Sequence, residues 1–141
     1  MTKKVMVSIS GRQFDLEDNE PIELITAGEY YLKNEKHYIL YEEQMSPEDG
    51  VTKNVLKIGD GIVELKKRGA TDYTMTFEIG KKNHAHYQTP IGPLFMGVHT
   101  KSLTFTEKEE EMELWIQYDL EVQGEHVSKC EITIKIESKP C

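Results

Sequence analysis

The sequence is poor in residues that cross-link a fold. It contains 141 residues but only 2 cysteines and 5 prolines. The cysteines, Cys130 and Cys141, form neither a CxxC pair nor a set with metal-ligand spacing. A disulfide scaffold, a thiol-redox motif and a zinc site are therefore not indicated. We expect both cysteines to be reduced thiols.

Long apolar runs are also missing. No stretch approaches the ~18 apolar residues that a membrane-spanning helix requires. The basic start, Met1 to Val5, is followed at once by alternating residues and not by the apolar segment of a secretion signal. We therefore expect a cytoplasmic protein with no membrane partner.

The chain has no excess of positive charge. Its 17 Lys and Arg residues stand against 25 Asp and Glu residues, a formal net charge of −8. Nonspecific binding to nucleic acid depends on cations that displace counterions from phosphates, so we predict no nucleic-acid partner. The short basic clusters Lys66–Arg68 and Lys81–Lys82 stand beside turn residues and are interpreted as solvated turns.

A strict two-residue alternation is the strongest positive signal. Apolar residues alternate with mostly polar ones from Met112 to Val122, and again from Cys130 to Ile136 after a turn at Gln123–Gly124. A helix would scatter these apolar side chains around its circumference, whereas a strand places them on one face. The pattern predicts two half-buried strands in a hairpin.

The same alternation recurs along the chain and predicts ten strands. We place them at about 3–12, 22–34, 36–45, 52–59, 62–68, 72–80, 84–90, 93–106, 111–123 and 126–137. Between Leu94 and Phe105 the apolar set changes parity, which predicts a β-bulge near Lys101 and Ser102. Short sequential turns favour one all-β domain over residues 1–141, an antiparallel up-and-down β-barrel, lipocalin-like, with about 8–10 strands.

Catalytic and metal-binding motifs are weak or missing. The sequence contains neither a GxSxG elbow nor a phosphate-binding loop, so we predict no catalytic residue and no cofactor. His84-Ala85-His86 resembles the two-histidine pair of cupin-type metal sites. The Gly80 spacing is too short, however, and no Glu follows at the required distance. We therefore predict no metal site.

Polar residues on the expected inner face define the leading functional hypothesis, a noncatalytic protein that binds a small apolar or anionic ligand in or at the mouth of the barrel. The candidate contacts are Arg68, for an anionic group, with Tyr87, Thr89, Thr100 and Tyr118. The alternative is a solidly packed barrel, with these hydroxyls bonded inside a filled core. It would act as a structural or interaction module, with Trp115 on the outer face in a homodimer or partner contact.

Several segments together resemble one known family. These are His86–Leu94 with Val98–Thr100, the stretch Val63–Gly69, and Trp115–Leu120. They are similar to the YwiB-like family of uncharacterised bacterial β-barrel proteins. The resemblance implies a lipocalin-like, calycin-type barrel in the cytoplasm and no established activity.

Overall fold

The computed structural model describes residues 3–13, 22–43, 51–69, 72–89 and 92–139. These residues form ten β-strands: β1 (Lys4–Gln13), β2 (Ile22–Lys33), β3 (Lys36–Glu43), β4 (Thr52–Gly59), β5 (Ile62–Arg68), β6 (Tyr73–Glu78), β7 (Lys82–Thr89), β8 (Gly92–Glu107), β9 (Glu111–Val122) and β10 (Glu125–Ser138). The ten predicted strands are confirmed, with ends that differ by a few residues. Across the described ranges, no helix is long and apolar enough to cross a membrane.

All ten strands belong to one antiparallel sheet with the order β6-β5-β4-β3-β2-β1-β10-β9-β8-β7. Each strand pairs with its neighbour in the chain, except that β6 and β7 form the two edges. The ladder between β1 and β10 joins the two ends of the meander. The β6–β7 turn continues the pairing with β8, because Gly80 donates its N–H to the carbonyl of Thr100 over 3.0 Å, and this brings the end of β6 close to β8. The result is the predicted up-and-down barrel, nearly closed, with a gap between β6 and β7 that we call the seam.

Tight turns connect several pairs of consecutive strands. Three hairpins turn through two central residues, both with positive φ: Asn34–Glu35, Asp60–Gly61 and Gln123–Gly124. This is the type I′ geometry, whose twist matches that of the flanking strands. Gly69, after β5, has φ of 139°, and a Cβ there would lie 2.4 Å from the carbonyl oxygen of Val51. The β5–β6 connection therefore requires glycine at this position.

The predicted bulge in β8 is confirmed. The register between β8 and β9 shifts between Thr100 and Ser102, so Lys101 is the extra residue. The shift returns Leu103 and Phe105 to the face that carries Val98 and Thr100, which lets the long strand curve around the core.

Apolar residues from most strands fill that core: Val5, Val7, Ile39, Leu56, Val63, Phe77, Val98, Met112, Leu114, Ile116, Ile134 and Ile136.

The predictions for the cysteines and for Trp115 concern strands β10 and β9. Cys130 is a free, buried thiol, whereas Cys141 lies outside the described residues. Trp115 is half-buried, on the opposite face of β9 from Tyr118, between Thr104 and Thr133 of the flanking strands. Its role in a homodimer stays a prediction.

A polar contact spans the barrel at the end near the Asn34–Glu35 turn. His37 of β3 lies with Nε2 3.1 Å from Oε2 of Glu107 in β8, a strand that does not neighbour β3 in the sheet. The hydroxyl of Tyr30 is 2.6 Å from His37 Nδ1. One tautomer satisfies both contacts: Nε2–H donates to the carboxylate and Nδ1 accepts from the phenol. Burial, and then Glu107, raise the pKa of Tyr30.

We predict that His37→Ala lowers the free energy of unfolding by about 1–2 kcal/mol, because the partly buried Tyr30 hydroxyl loses its hydrogen-bond partner, whereas the half-exposed Glu107 carboxylate returns to water. Urea unfolding measures the change. His126→Ala, at an exposed position of β10, serves as the control and is expected to stay within about 0.5 kcal/mol of the wild type. Equal losses in the two variants would show that the contact across the barrel contributes nothing.

Candidate functional site

Arg68 stands at the last position of β5, where two open grooves meet. The first, the seam groove, has a volume of about 590 Å³ and lies where β5 and β6 face β7. Its described lining comprises Lys66, Lys67, Arg68, Asp72, Tyr73, Thr74, His84 and Ala85. The sequence prediction that Arg68 lies at a site open to ligand is therefore compatible with its position.

The second, the outer groove, has a volume of about 900 Å³ and crosses β2, β3, β4 and β5. Its lining is Lys4, Thr26, Ala27, Gly28, Glu29, Leu40, Tyr41, Glu42, Lys53, Asn54, Val55, Lys66, Arg68 and Lys139. Both volumes fall in the range of about 300–1,000 Å³ that is typical of small-molecule sites. Lys66 and Arg68 contribute to both grooves, so the end of β5 separates them.

Three cations occupy neighbouring positions on this wall, and we call Lys53, Lys66 and Arg68 the cation cluster. Lys53 and Arg68 are directly opposite each other in the β4–β5 ladder, and Lys66 is two residues from Arg68. Within the described part of the chain, none of the three forms a salt bridge. On its other side Lys53 is directly opposite Glu42 of β3, without a salt bridge. Like charges placed directly opposite each other destabilise a sheet, and the three cations outnumber this one carboxylate, so the cluster favours an anion.

Beneath the grooves lies a set of polar side chains that we call the inner polar layer: Glu43, Asn54 and Lys67. Lys67 Nζ is 2.7 Å from Glu43 Oε1, and these side chains are only 19% and 14% exposed. Asn54 Nδ2 donates to the same carboxylate oxygen over 3.2 Å. The Lys67 ammonium also lies 5.9 Å from the ring centre of Tyr73. Lys67 is therefore neutralised from within and does not belong to the cation cluster.

Three buried side-chain atoms lack a hydrogen-bond partner among the described residues: Asn54 Oδ1 in the inner polar layer, Asn83 Nδ2 in β7 and Thr100 Oγ1 in β8. Asn54 and Thr100 are 1% and 0% exposed. A buried polar atom without a hydrogen bond costs about 1–3 kcal/mol. An ordered water or another small polar group would satisfy each of these atoms.

The structure brings together only part of the predicted ligand set. Thr100 and Tyr118 are buried and directly opposite each other across β8 and β9, and they line neither groove. Tyr118 packs edge-on against Phe77, with ring centres 5.1 Å apart. Burial, and then Cys130, raise the pKa of Tyr118. These two residues lie in the packed core and apart from Arg68.

Tyr87 and Thr89 lie in β7, paired with Leu94 and Gly92. The chain direction places their end of β7 at the same end of the barrel as Arg68. Their side chains lie outside the described part of the structure, so both stay predictions.

His84 is exposed and lines the seam groove, whereas the side chain of His86 also lies outside the described part. Among the described residues, no group of three or more His, Cys, Asp or Glu side chains is arranged to hold a metal ion.

The inner polar layer was not predicted, although the alternation contains a signal for it. Asn54 has the same parity as the buried Leu56 and Ile58 in β4, and Lys67 has the same parity as the buried Val63 and Leu65 in β5. A polar residue on an apolar face requires a partner. Two such residues on adjacent predicted strands would have indicated a common site. The Lys53–Arg68 juxtaposition depends on register and has no comparable signal.

The described residues thus define a nearly closed, ten-stranded antiparallel barrel with a cationic wall at one end. Residues 7–134 match the domain of unknown function DUF1934. The chain belongs to this family. It is 32% identical over 118 residues, 82% of each chain, to the uncharacterized beta-barrel protein YwiB of Bacillus subtilis (strain 168). The crystal structure of the B. subtilis protein superposes with a TM-score of 0.86 at 28% identity, covering 98% of this chain and 93% of that one. The resemblance to the YwiB-like family is confirmed.

We predict that Glu43→Gln lowers the free energy of unfolding by about 1–3 kcal/mol. The substitution removes the anionic partner of a mostly buried lysine and leaves the shape of the side chain unchanged. Glu42→Gln, at the exposed neighbouring position, is the matched control and should change stability by less than about 0.5 kcal/mol. Urea unfolding at neutral pH compares the two. A Glu43→Gln variant as stable as the control would contradict the assigned role of the ion pair.

Alkaline pH tests the burial of two tyrosines. Burial is the largest factor that raises the pKa of Tyr41 and of Tyr118 above the usual value of 10.0, with a smaller contribution from Glu43 at Tyr41. Above pH 10 the unfolded chain therefore ionises these phenols while the folded chain keeps them protonated. The unfolded state then binds fewer protons, and stability falls as pH rises, by up to about 1.4 kcal/mol per pH unit for each tyrosine.

We expect urea unfolding between pH 8 and 11.5 to show this fall, with a smaller slope in the Tyr41→Phe/Tyr118→Phe double variant. The two proteins should show the same pH dependence below pH 9. Parallel slopes above pH 10 would contradict the prediction.

Proposed function

We propose that the protein is a noncatalytic binder of a small, partly apolar anionic molecule at the end of the barrel where the two grooves meet. The observation that carries the proposal is the cation cluster. In a chain with a formal charge of −8, Lys53 and Arg68 oppose each other, with Lys66 beside them and no salt bridge among the described residues. A bound anion would remove the repulsion among these cations.

Arg68 is the central contact in this proposal. Its guanidinium presents a planar set of donors that matches a carboxylate or a phosphate, and it lines both grooves. Tyr73 and Ala85 in the seam groove, and Leu40 and Val55 in the outer groove, offer apolar surface beside it. Tyr87 and Thr89 remain proposed polar contacts. Thr100 and Tyr118 lie in the core and line neither groove, so they are not ligand contacts in this proposal.

The proposal retains the finer features that the sequence suggested. These features are a lipocalin-like, calycin-type barrel that binds a small ligand, a cytoplasmic location, and the absence of a nucleic-acid or membrane partner. Asn54 lines the outer groove, and its Oδ1 has no partner among the described residues, which supports a polar group at the base of that groove.

Fluorescence titration with 1-anilinonaphthalene-8-sulfonate, an anionic and partly apolar probe, tests the proposal. We expect saturable binding that weakens about 3- to 5-fold in Arg68→Gln, because each exposed charge contact contributes about 1 kcal/mol or less. Lys33→Gln removes the same charge from an exposed position at the far end of β2 and should change affinity less than 2-fold. Raising the salt concentration should weaken wild-type binding through screening.

Circular dichroism and unfolding curves establish that both variants keep the wild-type fold, so that a loss of probe binding is attributed to the site. Equal affinities in Arg68→Gln and Lys33→Gln, or no saturable binding to the wild type, would refute the proposed function.

A further inference from the structure

We infer that the outer groove takes a free linear aliphatic acid with a single acid group. The acid group lies at the cation cluster, and the aliphatic chain crosses Val55 and Leu40. This inference rests on the proposed function and adds the ligand class, the groove and the orientation.

The register of the sheet supplies the geometry. Leu40 of β3 is directly opposite Val55 of β4, and Val55 is directly opposite Lys66 of β5. These residues form one straight row across three strands. Neighbouring strands lie about 4.8 Å apart, so the row extends about 10 Å from Leu40 to Lys66. Leu40 is 36% exposed, although it lies in the middle of a strand. An apolar surface of this length therefore leads directly to a cation.

Charge is distributed unevenly along this row. At the β5 end Lys66 lies beside Arg68 and Lys53, and the carboxylate opposite Lys53 is that of Glu42 in β3, so cations exceed carboxylates there by two. At the other end Leu40 is directly opposite Glu29 of β2, and Glu29 is directly opposite Lys4 of β1. A second acid group at this end would meet the like charge of Glu29, which selects a monoacid over a diacid.

The seam groove has a more polar lining than the outer groove. Its wall on the far side of the cation cluster contains Asp72, Thr74 and His84, and Ala85 is its aliphatic side chain among the described lining. An aliphatic chain would therefore contact mostly polar groups in the seam groove. The apolar part of the ligand is better matched by Leu40 and Val55.

The test is a series of sodium hexanoate, octanoate and decanoate, each kept below its micelle concentration. Binding to the full chain is measured by isothermal titration calorimetry. A fully buried methylene strengthens binding about 4-fold and a half-covered one about 2-fold, so we expect decanoate to bind roughly 16-fold more tightly than hexanoate. Adipate, a diacid of the same length as hexanoate, should bind no more tightly than hexanoate.

Matched variants locate the aliphatic chain. Leu40→Thr should reduce the gain per methylene to near 1-fold. Ile62→Thr is the control, because Ile62 is also 36% exposed but lies at the opposite end of β5 and outside both grooves. It should keep the wild-type dependence on chain length. Thermal unfolding of both variants verifies that they are folded before they are compared.

The outcomes separate the inference from the proposed function. Acid binding that depends on Arg68 but not on chain length, or amide NMR shifts at Thr74 and His84 with none at Leu40 and Val55, would overturn the inference alone. If none of the acids bound and the naphthalene sulfonate also failed to bind, both would be overturned. Sedimentation with phosphatidylglycerol vesicles in the absence of decanoate binding would indicate a lipid surface and would also overturn the inference.

Discussion

The ladder between β1 and β10 is the pairing on which the rest of the structure depends. It runs from Val5 opposite Ser138 to Gln13 opposite Cys130 and joins the two ends of a sequential meander. Without it, ten strands connected by short turns would form an open sheet with one apolar face in water. With it, the strands curve around one core, and the sheet must end between two other strands. Those strands are β6 and β7, so the pairing of the first and last strands moves the seam away from the ends of the meander.

The fold could be predicted well because its determinants are local. The alternation in β9 and β10, the turn at Gln123–Gly124 and the parity change in β8 are each visible within about fifteen residues, and each is confirmed at its predicted place. The seam could not be predicted in this way. It depends on which of the nine pairs of consecutive strands fails to form a ladder, and that choice reflects the curvature of the whole sheet.

The residues of the candidate site also differ in whether local sequence was enough to predict them. Arg68 was identified from residue type alone, and its position between two grooves agrees with an exposed role. Thr100 and Tyr118 were selected because they are polar on an apolar face, but this criterion does not distinguish a groove from a core. The same criterion applied to Asn54 and Lys67 would have identified the inner polar layer. Lys53 became a candidate only when the register placed it opposite Arg68.

The inner polar layer and the cation cluster lie on opposite faces of the same strands, and they differ in whether their charges are paired within the protein. On the inside, Lys67 is matched by Glu43 and Asn54, because a charge held away from water must be paired. On the outside, water screens Lys53, Lys66 and Arg68, so their mutual repulsion is small enough to persist without protein partners. The Glu43–Lys67 pair fixes the position of β5 relative to β3 and β4. Together with the β4–β5 ladder, it fixes the backbone positions from which the outer cations extend, so the proposed anion would meet cations whose spacing is set before binding.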